Sequence, residues 1–372
     1  MEKLNKKDLA MFLGNGDTLE TWDDMGFLKR EMALYNLLAE KFNKIYIFTY
    51  GSQKDKEYQR ILKKNVVIIP KTSKLNNEIY ELLIPFKFSH LLRRCDIYKT
   101  NQNIAATAPT LCKLLYGNKL VIRSGFIGSV NAKLYKCSFY IRAHVFLVEF
   151  LSYLFCNRAF IPTEQNYDIL IKKYPFLKGK LMIMNNFTDT NLFIKKNSIK
   201  KYDIVYVARL DKDKNHLELL KAIKGLGLKV CFIGQGKEEE NIRNFARASN
   251  IILKMIKRVP NEKLPEYYNS TNIYVFPSLH EGNPKTLLEA MSCELPVIGC
   301  NVTGVSNLIK NQQNGLLCEP TAESLRKTIQ YLFKNKKLWG KLGKNAREMI
   351  INEFSLDSLV IRELEEYVKM IK

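Results

Sequence analysis

The sequence predicts an α/β protein of two doubly wound domains, each a parallel β-sheet with helices on both faces. In both halves of the chain, apolar runs of strand length alternate with helical stretches, which is typical of parallel sheets. The 372 residues also exceed the size, about 250 to 300 residues, at which one core stops growing. A polar tract at Thr188 to Lys201 is the predicted linker. We therefore predict domains at 1–190 and 191–352, with 353–372 as a helix that packs back on the first domain.

Seven apolar runs in the first half predict strands because they are rich in β-branched and aromatic residues. In chain order they are 8–14, 44–50, 65–70, 95–100, 119–124, 158–164 and 180–187. An amphipathic pattern predicts a helix from about Phe27 to Glu40, after a polar loop, and an aromatic run predicts a core or interface helix at Phe139 to Phe155. The Gly14–Gly16 turn follows the first strand, but position 19 is Leu, so the dinucleotide-binding fingerprint is absent.

The second half repeats the alternation of strands and helices. Its predicted strands are 203–210, 229–236, 251–256, 272–277 and 295–300. A helix is predicted at Leu217 to Lys224, and the chain is predicted to be helical from Thr321 onward. Because ligands of open parallel sheets bind beyond the carboxyl ends of the strands, we expect the functional residues in the loops that follow these strands.

The chain is strongly basic, with 59 Lys and Arg against 37 Asp and Glu and a formal net charge of +22. Residues 99–180 are the densest part, with 12 bases and 3 acids. Nucleic acid, an anionic membrane face and a phosphate-bearing acceptor are all partners that attract such a charge. A solvated lysine-rich surface explains it as well. With the lysines around it, the helix at Phe139 to Phe155 could also lie against a membrane surface.

Several sequence features predict a cytoplasmic protein. Apolar stretches of about 18 residues, which a membrane-spanning helix needs, are absent, and the first residues show no secretory signal. The eight cysteines are scattered without C-x-x-C spacing, so we expect buried free thiols in a reducing compartment.

The stretch S-L-H-E-G-N-P-K-T-L-L-E-A-M at Ser278 to Met291 carries two glutamates, Glu281 and Glu289. Gly282 and Pro284 favour a turn followed by a helix, because proline is tolerated at the first helical position. This places Glu281 on a loop at the mouth of a helix and Glu289 one turn inside it. Since free amides at a helix start attract phosphate, the stretch predicts a site for a phosphorylated ligand.

Two cations follow the first predicted strand of the second half. Arg209 stands at the carboxyl end of that strand, and Lys214 lies five residues on, in the loop before a helix. A guanidinium fork and an ammonium could reach one diphosphate there and stabilise a leaving group without a metal. His280, beside Glu281, is interpreted as a structural or solvated histidine, as are His144 and His216.

Four motifs together resemble the nucleotide-sugar half of retaining GT-B glycosyltransferases of family 4. They are V-A-R-L-D-K-D-K-N, Y-V-F-P-S-L-H-E-G-N-P-K-T-L-L-E-A-M, P-V-I-G-C-N-V-T-G-V and N-G-L-L-C-E-P, and they cover nearly all of residues 203–320. M-N-N-F-T-D-T-N-L-F before the linker is similar to that family's interdomain segment. The resemblance implies two Rossmann-like domains facing each other across a cleft. It also implies a nucleoside-diphosphate sugar donor, transfer with retention, and generally no bound metal or other cofactor.

The resemblance implies roles for individual residues. Arg209 and Lys214 would neutralise the leaving diphosphate, and Glu281 would lie beside the donor's sugar and phosphate. Glu289 would accept hydrogen bonds from the ribose. The residues implied to line the donor or flank its base are Gly282, Asn283, Pro284, Lys285, Thr286, Leu287, Arg258 and Val259.

The first domain departs from the family pattern at two places. Gly26 matches the glycine of the phosphate-facing loop, but Trp-Asp-Asp-Met precedes it instead of a glycine-rich sequence. Trp22 of this loop is either a core anchor or part of an acceptor site. Arg123-Ser124-Gly125 stands where many members have a histidine. This second departure puts any role of that histidine, and acceptor recognition, in doubt.

The expected function is transfer of a hexose or N-acetylhexosamine from a nucleotide sugar, with UDP-sugar favoured and GDP-mannose next. The expected acceptor is a growing, lipid-linked bacterial surface glycan such as lipopolysaccharide, reached at the inner membrane face by a cytoplasmic, peripherally bound enzyme. A nucleotide-sugar epimerase of the same architecture is the first alternative. A basic nucleic-acid-binding protein is the second, although the sequence has no groove-reading motif that we can identify.

Overall fold

The computed structural model of the protein describes residues 4–371. The chain forms two compact units, one from residues up to Asn185 together with the segment from Val360, the other from Asn186–Leu359. This boundary lies ahead of the predicted one at 190/191. The tract 188–201, predicted as a linker, belongs to the second unit, because Phe193 is buried in that unit's core.

The first unit is built on a seven-stranded parallel sheet in the order β3-β2-β1-β4-β5-β6-β7. All seven predicted strands are present, each shorter than the apolar run that predicted it. Their bounds are β1 Asp8–Phe12, β2 Lys44–Phe48, β3 Val66–Ile69, β4 Ile97–Thr100, β5 Lys119–Arg123, β6 Arg158–Ile161 and β7 Leu181–Ile183.

The first unit contains, before Asn185, the helices α1 Leu19–Asp24, α2 Leu28–Ala39, α3 Asn77–Lys87, α4 Ser89–Leu92, α5 Thr107–Tyr116, α6 Gly128–Leu134, α7 Phe139–Phe155 and α8 Glu164–Lys173. The two predicted helices are confirmed as α2 and α7. Helix α1 lies where a loop was predicted. It forms because the Thr18 hydroxyl accepts a hydrogen bond from the Thr21 amide at 2.9 Å, and because Trp22 is buried in the core.

The second unit has a six-stranded parallel sheet in the order β10-β9-β8-β11-β12-β13. Its strands are β8 Tyr202–Val207, β9 Lys229–Ile233, β10 Ile252–Ile256, β11 Thr271–Phe276, β12 Val297–Cys300 and β13 Leu316–Cys318. Five were predicted. The sixth, β13, has only three residues and pairs with β12, so its short apolar run carries little periodicity.

The helices of the second unit are α9 His216–Ile223, α10 Glu239–Ala248, α11 Leu264–Asn269, α12 Lys285–Ser292, α13 Ala322–Lys334, α14 Lys337–Glu353 and the start of α15 Leu356–Ile371. From Val360 onward α15 belongs to the first unit. There its Glu366 carboxylate accepts a hydrogen bond from the Arg158 guanidinium at 2.9 Å.

Each sheet reverses its strand order at one place, between β1 and β4 in the first unit and between β8 and β11 in the second. In doubly wound sheets the loops that leave the carboxyl ends of such a neighbouring pair diverge and leave a crevice for a ligand. The loops after β8 and β11 carry Arg209, Lys214 and Glu281, so the topology brings these residues to one edge of the second sheet.

All eight cysteines are free, and all but Cys137 are buried, as the sequence predicts. Among residues 4–371 no helix has the length and apolar character that crossing a bilayer requires.

Candidate active site

The loop that carries Arg209 is held by two glycines of the neighbouring strand end. A Cβ on Gly234 would lie 1.9 Å from the Ala208 carbonyl oxygen, and one on Gly236 would lie 2.4 Å from that of Leu210. The Leu210 amide donates a hydrogen bond to the Gln235 carbonyl at 3.0 Å. Only glycine permits this close approach of two backbones, so the G-Q-G sequence after β9 fixes the course of the loop.

Lys214 and Glu281 form a direct ion pair. The Lys214 Nζ lies 2.8 Å from Glu281 Oε1 and 3.0 Å from Asp213 Oδ2. Ser278 Oγ donates to the same Glu281 oxygen at 2.9 Å. The Leu279 amide donates to the Asp213 carbonyl at 2.8 Å and so ties the loop after β11 to the loop after β8.

The charge of Lys214 is fixed by this environment. Burial alone would lower the pKa of its ammonium, but the charges and hydrogen bonds of Glu281 and Asp213 outweigh burial, and the pKa is raised above 10.5. A cation whose folded pKa is raised contributes stability at every pH below its unfolded value and loses it only as pH rises through the folded pKa. Lys214 is therefore a permanent cation at neutral pH, and the two carboxylates occupy two of its three donors.

Arg209 has a different environment from Lys214. About 70% of its side chain is exposed, and its Nη1 lies 3.0 Å from Asp211 Oδ2. Exposed pairs of this kind are worth about 0 to 1 kcal/mol, so the guanidinium can leave Asp211 for a ligand at little cost. The hypothesis that Arg209 and Lys214 act on one diphosphate stays a prediction.

The segment Gly282 to Leu287 forms the turn and first helical residues that the sequence predicts. Helix α12 begins at Lys285, and its N-cap residue Pro284 makes no side-chain cap hydrogen bond. Asn186 Nδ2 donates to the Asn283 carbonyl at 2.7 Å, and Tyr274 Oη donates to Thr286 Oγ1 at 3.0 Å. Pro284 and Leu287 are buried, and Gly282 is exposed.

Gly304, in the N-V-T-G-V segment, supports the Glu281 loop from behind. Its φ is +87°, and a Cβ there would lie 2.3 Å from the Glu281 carbonyl oxygen and 2.4 Å from that of Gly282. Both the left-handed backbone and the close approach require glycine. The motif was noticed in the sequence, but this role of Gly304 was not predicted.

We expect Gly304→Ala to destabilise the second unit by about 1 to 3 kcal/mol, because the new Cβ meets two carbonyl oxygens in a strained backbone. Urea unfolding measures the change. Gly340→Ala is the matched control, since Gly340 lies inside α14 with nothing within 4 Å of its Cβ position and should become slightly more stable. Equal unfolding midpoints for Gly304→Ala and the parent would contradict the proposed packing.

Glu289 lies one turn inside α12, as predicted, and it is buried. Asn261 Nδ2 donates to its Oε1 at 2.8 Å, and Tyr268 Oη donates to its Oε2 at 3.1 Å. Asn261 follows the predicted base-flanking residues, the exposed Arg258 and the partly buried Val259, so it links that segment to the carboxylate. The ribose role of Glu289 stays a prediction.

Two histidines, His216 and His280, lie close to predicted site residues in the chain. His216 is buried between Tyr206 and Phe232, with ring centroids 4.6 and 4.9 Å away, and burial followed by the charge of Lys214 lowers its pKa to about 3. The imidazole is therefore neutral at neutral pH. His280 is exposed. Within residues 4–371 no three His, Cys, Asp or Glu side chains form a group that could hold a metal ion.

The first unit contains the remaining residues that the sequence analysis singles out. Gly26 has a φ of +74° and donates its amide to the Asp23 carbonyl at 2.8 Å, so it closes the turn after α1. Of the two interpretations of Trp22, its burial favours the core anchor. Arg123 ends β5, and its Nη1 lies 3.7 Å from Glu363 Oε2. Ser124 is buried.

A model of the family described as "Glycosyl transferases group 1" matches residues 188–349, which include every predicted site residue except Gly26. Residues 188–349 therefore match the glycosyl transferases group 1 family. Two curated relatives are similar to this chain. The capsular polysaccharide biosynthesis glycosyltransferase CapM of Staphylococcus aureus is 31% identical over 173 residues, 44% of each chain. The UDP-Gal:alpha-D-GlcNAc-diphosphoundecaprenol alpha-1,3-galactosyltransferase of Escherichia coli is 25% identical over 230 residues, 56% of this chain and 59% of the relative.

The chain spans about three fifths or less of the length of these curated relatives. Solved structures resemble it over almost its whole length. Sucrose-phosphate synthase from Thermosynechococcus elongatus superposes with a TM-score of 0.78 at 18% identity, covering 98% of this chain and 99% of that one. Anabaena Alr3699/HepE in complex with UDP gives 0.74 at 14% identity, covering 98% and 100%. The predicted GT-B fold class, with two parallel-sheet α/β domains, is confirmed.

Sequence reasoning missed four partners of the site: Asp213, Ser278, Asn261 and Tyr268. Ser278 and Asp213 stand within three residues of Glu281 and Lys214, so their positions in the sequence could have suggested a contact. Asn261 and Tyr268 are 28 and 21 residues from Glu289 and carry no comparable signal.

Proposed function

We propose that the chain is a retaining glycosyltransferase of family 4 that moves a hexose or N-acetylhexosamine from a nucleoside-diphosphate sugar to a growing bacterial surface glycan. The observation that carries this proposal is the Lys214–Glu281 pair at the strand-order reversal of the second sheet, inside the residues that the family model matches. A fixed cation beside a carboxylate, just ahead of a helix start, suits a ligand that has both phosphates and sugar hydroxyls.

The proposed donor is a UDP-sugar, with GDP-mannose as the second choice. The Escherichia coli relative is named for UDP-Gal, and the Anabaena structure holds UDP. The proposed acceptor is a lipid-linked glycan of the kind found in lipopolysaccharide or capsule synthesis. Its support is the diphosphoundecaprenol in the name of the Escherichia coli relative and the capsular role in that of the Staphylococcus aureus relative.

The proposed reaction breaks the bond between the sugar's anomeric carbon and the β-phosphate oxygen, and the electron pair leaves with the diphosphate. The acceptor hydroxyl oxygen bonds to the anomeric carbon, and its proton passes to the departing phosphate. Arg209 and Lys214 stabilise the negative charge that grows on the diphosphate. Because these cations supply the positive charge, we propose that no metal is needed.

The two glutamates have separate proposed tasks. Glu281 holds Lys214 in place and faces the sugar and its phosphate, with the backbone of Gly282 to Leu287 beside them. Asn261 and Tyr268 orient the Glu289 carboxylate, which accepts hydrogen bonds from the ribose. Arg258 and Val259 flank the base. Gly26 of the first unit is proposed for the phosphate-facing loop.

The proposed location is the cytoplasm, at the inner face of the cytoplasmic membrane, where lipid-linked acceptors would be reached. The basic first half of the chain supports peripheral binding to anionic lipid, since about 1 kcal/mol is gained for each Lys or Arg near such a surface.

The test is a thermal-shift panel of UDP, UDP-glucose, UDP-N-acetylglucosamine and GDP-mannose, run in EDTA. We expect uridine nucleotides to raise the unfolding temperature, because a ligand at about 100 times its Kd stabilises the native state by roughly 2.7 kcal/mol. Glu289→Gln should weaken donor binding about 10- to 100-fold, since a ribose hydroxyl loses a charged acceptor. His280→Ala, an exposed neighbour of Glu281, is the control and should bind like the parent.

Two results would contradict the proposal. One is a panel in which no nucleotide sugar stabilises the parent protein. The other is a change in the donor's sugar when no acceptor is present, which would indicate an epimerase. Where transfer is detected, the NMR coupling of the product's anomeric proton reports whether configuration is retained.

A further inference from the structure

Helices α6 and α7 of the first unit present an apolar surface to solvent. We define the hairpin surface as the side chains of Leu134, Tyr135, Phe139, Tyr140, Phe146 and Leu147, which are between 47% and 84% exposed. Exposed apolar side chains occur singly on most soluble proteins, but a contiguous group of large ones marks an interaction site. We therefore expect the hairpin surface to bind a partner.

The first half of α7 carries most of the hairpin surface. Every residue from Phe139 to Leu147 is exposed except Val145, which is partly buried. A solvated helix usually has one apolar stripe against the core and a polar opposite face. Here apolar and aromatic residues occupy nearly the whole circumference, which suits an environment less polar than water.

Helices α6 and α7, which we call the hairpin, are joined to the rest of the first unit through a buried carboxylate. Glu149 of α7 accepts hydrogen bonds from the Ser129 amide at 2.9 Å, the Ser129 hydroxyl at 2.7 Å, Lys173 Nζ at 2.8 Å and Tyr174 Oη at 3.0 Å. A Cβ on Gly128 would lie 3.1 Å from Val145, so α6 packs closely on α7. The hairpin surface therefore belongs to helices that are fixed by buried hydrogen bonds and close packing.

The exposed charged side chains within residues 128–155 are all basic. Lys133, Lys136 and Arg142 are exposed beside the apolar side chains. Residues 128–155 contain one acid, Glu149, and it is buried. A second copy of the chain docking here would bring like charges together, whereas an anionic surface would complement them.

We propose that the hairpin surface docks on an anionic lipid bilayer, with its aromatic side chains among the headgroups and its bases on lipid phosphates. Aromatic rings and flanking bases are the side chains that suit this interfacial depth. The inference rests on the proposed function only in that a lipid-linked acceptor would lie at the same bilayer. It names the surface through which the peripheral binding to anionic lipid would occur, which the proposed function leaves open.

The test is co-sedimentation of the full chain with vesicles of phosphatidylcholine alone and of phosphatidylcholine with about 30% phosphatidylglycerol. We expect binding to the anionic vesicles and little to the neutral ones. The variant Phe139→Ser/Tyr140→Ser/Leu147→Ser should lower that binding at least about tenfold, because it removes the inserted apolar area. The variant Lys133→Glu/Lys136→Glu/Arg142→Glu should lower it more than about tenfold, because each base near the surface adds to the attraction.

Matched controls separate an effect of the hairpin surface from an effect of the protein's total exposed apolar area or net charge. Ile199→Ser/Tyr331→Ser removes exposed apolar side chains elsewhere, and Lys310→Glu/Lys334→Glu/Lys337→Glu makes the same change in net charge elsewhere. Both should bind like the parent. The proposal is overturned if the hairpin variants bind like the parent, if the controls lose as much binding, or if the parent binds neither vesicle. It is also overturned if sedimentation velocity shows a dimer that the hairpin variants dissociate.

The donor thermal-shift panel distinguishes this inference from the proposed function. A hairpin variant that loses vesicle binding should still be stabilised by a uridine nucleotide, because the hairpin is in the first unit and every proposed donor residue except Gly26 is in the second. Failed vesicle binding with intact donor binding refutes the hairpin inference alone. Failed donor binding with intact vesicle binding refutes the proposed function alone.

Discussion

Arg209→Ala should lower kcat about 10²- to 10³-fold while changing donor affinity much less. In the proposed reaction the guanidinium meets charge that develops on the leaving diphosphate, and loss of one such preorganised donor costs about 2.7 to 4 kcal/mol of transition-state stabilisation. Because 70% of this side chain is exposed and its Asp211 pair is a surface pair, the substitution should not disturb the fold. Steady-state kinetics with varied donor measure kcat and KM separately.

Two further variants sharpen the Arg209 experiment. Lys212→Ala removes another exposed cation from the same loop and should retain the parent's kcat. Arg209→Lys keeps the charge without the planar fork and should fall between the parent and the alanine variant. A raised KM with unchanged kcat in Arg209→Ala would mean that the residue binds substrate and transition state equally, contrary to the proposal.

Glu363→Ala should destabilise the first unit by about 3 to 5 kcal/mol, the usual cost of leaving one partner of a buried ion pair alone. Glu363 and Lys99 are both fully buried, and the carboxylate accepts hydrogen bonds from Lys99 Nζ and Tyr367 Oη. Arg123 adds a second cation 3.7 Å away. Equilibrium unfolding in urea measures the loss, and Glu323→Ala, whose partner Lys327 is equally exposed, should show no measurable change.

The destabilisation caused by Glu363→Ala should depend on pH, because of the same contacts. Burial alone would raise the pKa of the Glu363 carboxyl, but Lys99 and Arg123 outweigh burial and the pKa is lowered below 4.5. An acid with a lowered folded pKa contributes stability above its unfolded pKa and loses it as pH falls through the folded value. The difference in free energy of unfolding between the parent and Glu363→Ala should therefore reach its full size at pH 7 and decrease below about pH 4.5. A difference that is constant from pH 7 to pH 3 would exclude the ion pair as its cause.

Local chemistry made most of the fold predictable. Strands such as β8 and β11 are continuous apolar runs bounded by polar loops, and the Gly282 to Pro284 turn has few alternatives. The placement of Glu281 before α12 and of Glu289 inside it follows from those rules alone. Helix α1 escaped prediction because its stability comes from the Thr18 cap and the burial of Trp22, within a segment only six residues long.

The parts of the candidate site that escaped prediction depend on long-range packing. Gly304 is 23 residues from Glu281, and only the folded chain shows that its missing Cβ leaves room for that loop. Asn261 reaches Glu289 because β10 and β11 end at the same edge of the sheet. The 188–201 tract is polar enough to predict a linker, yet burial of Phe193 outweighs the polar residues around it. Such contacts leave no periodic trace in the sequence.

The ion pair between Lys99 and Glu363 joins residues 264 positions apart. During synthesis at about 5 to 20 residues per second, roughly 13 to 53 s pass between the appearance of these two residues. Through that interval, while all of the second unit is being made, the carboxylate that pairs with Lys99 has not yet been synthesised. The unit whose synthesis starts first is therefore completed last.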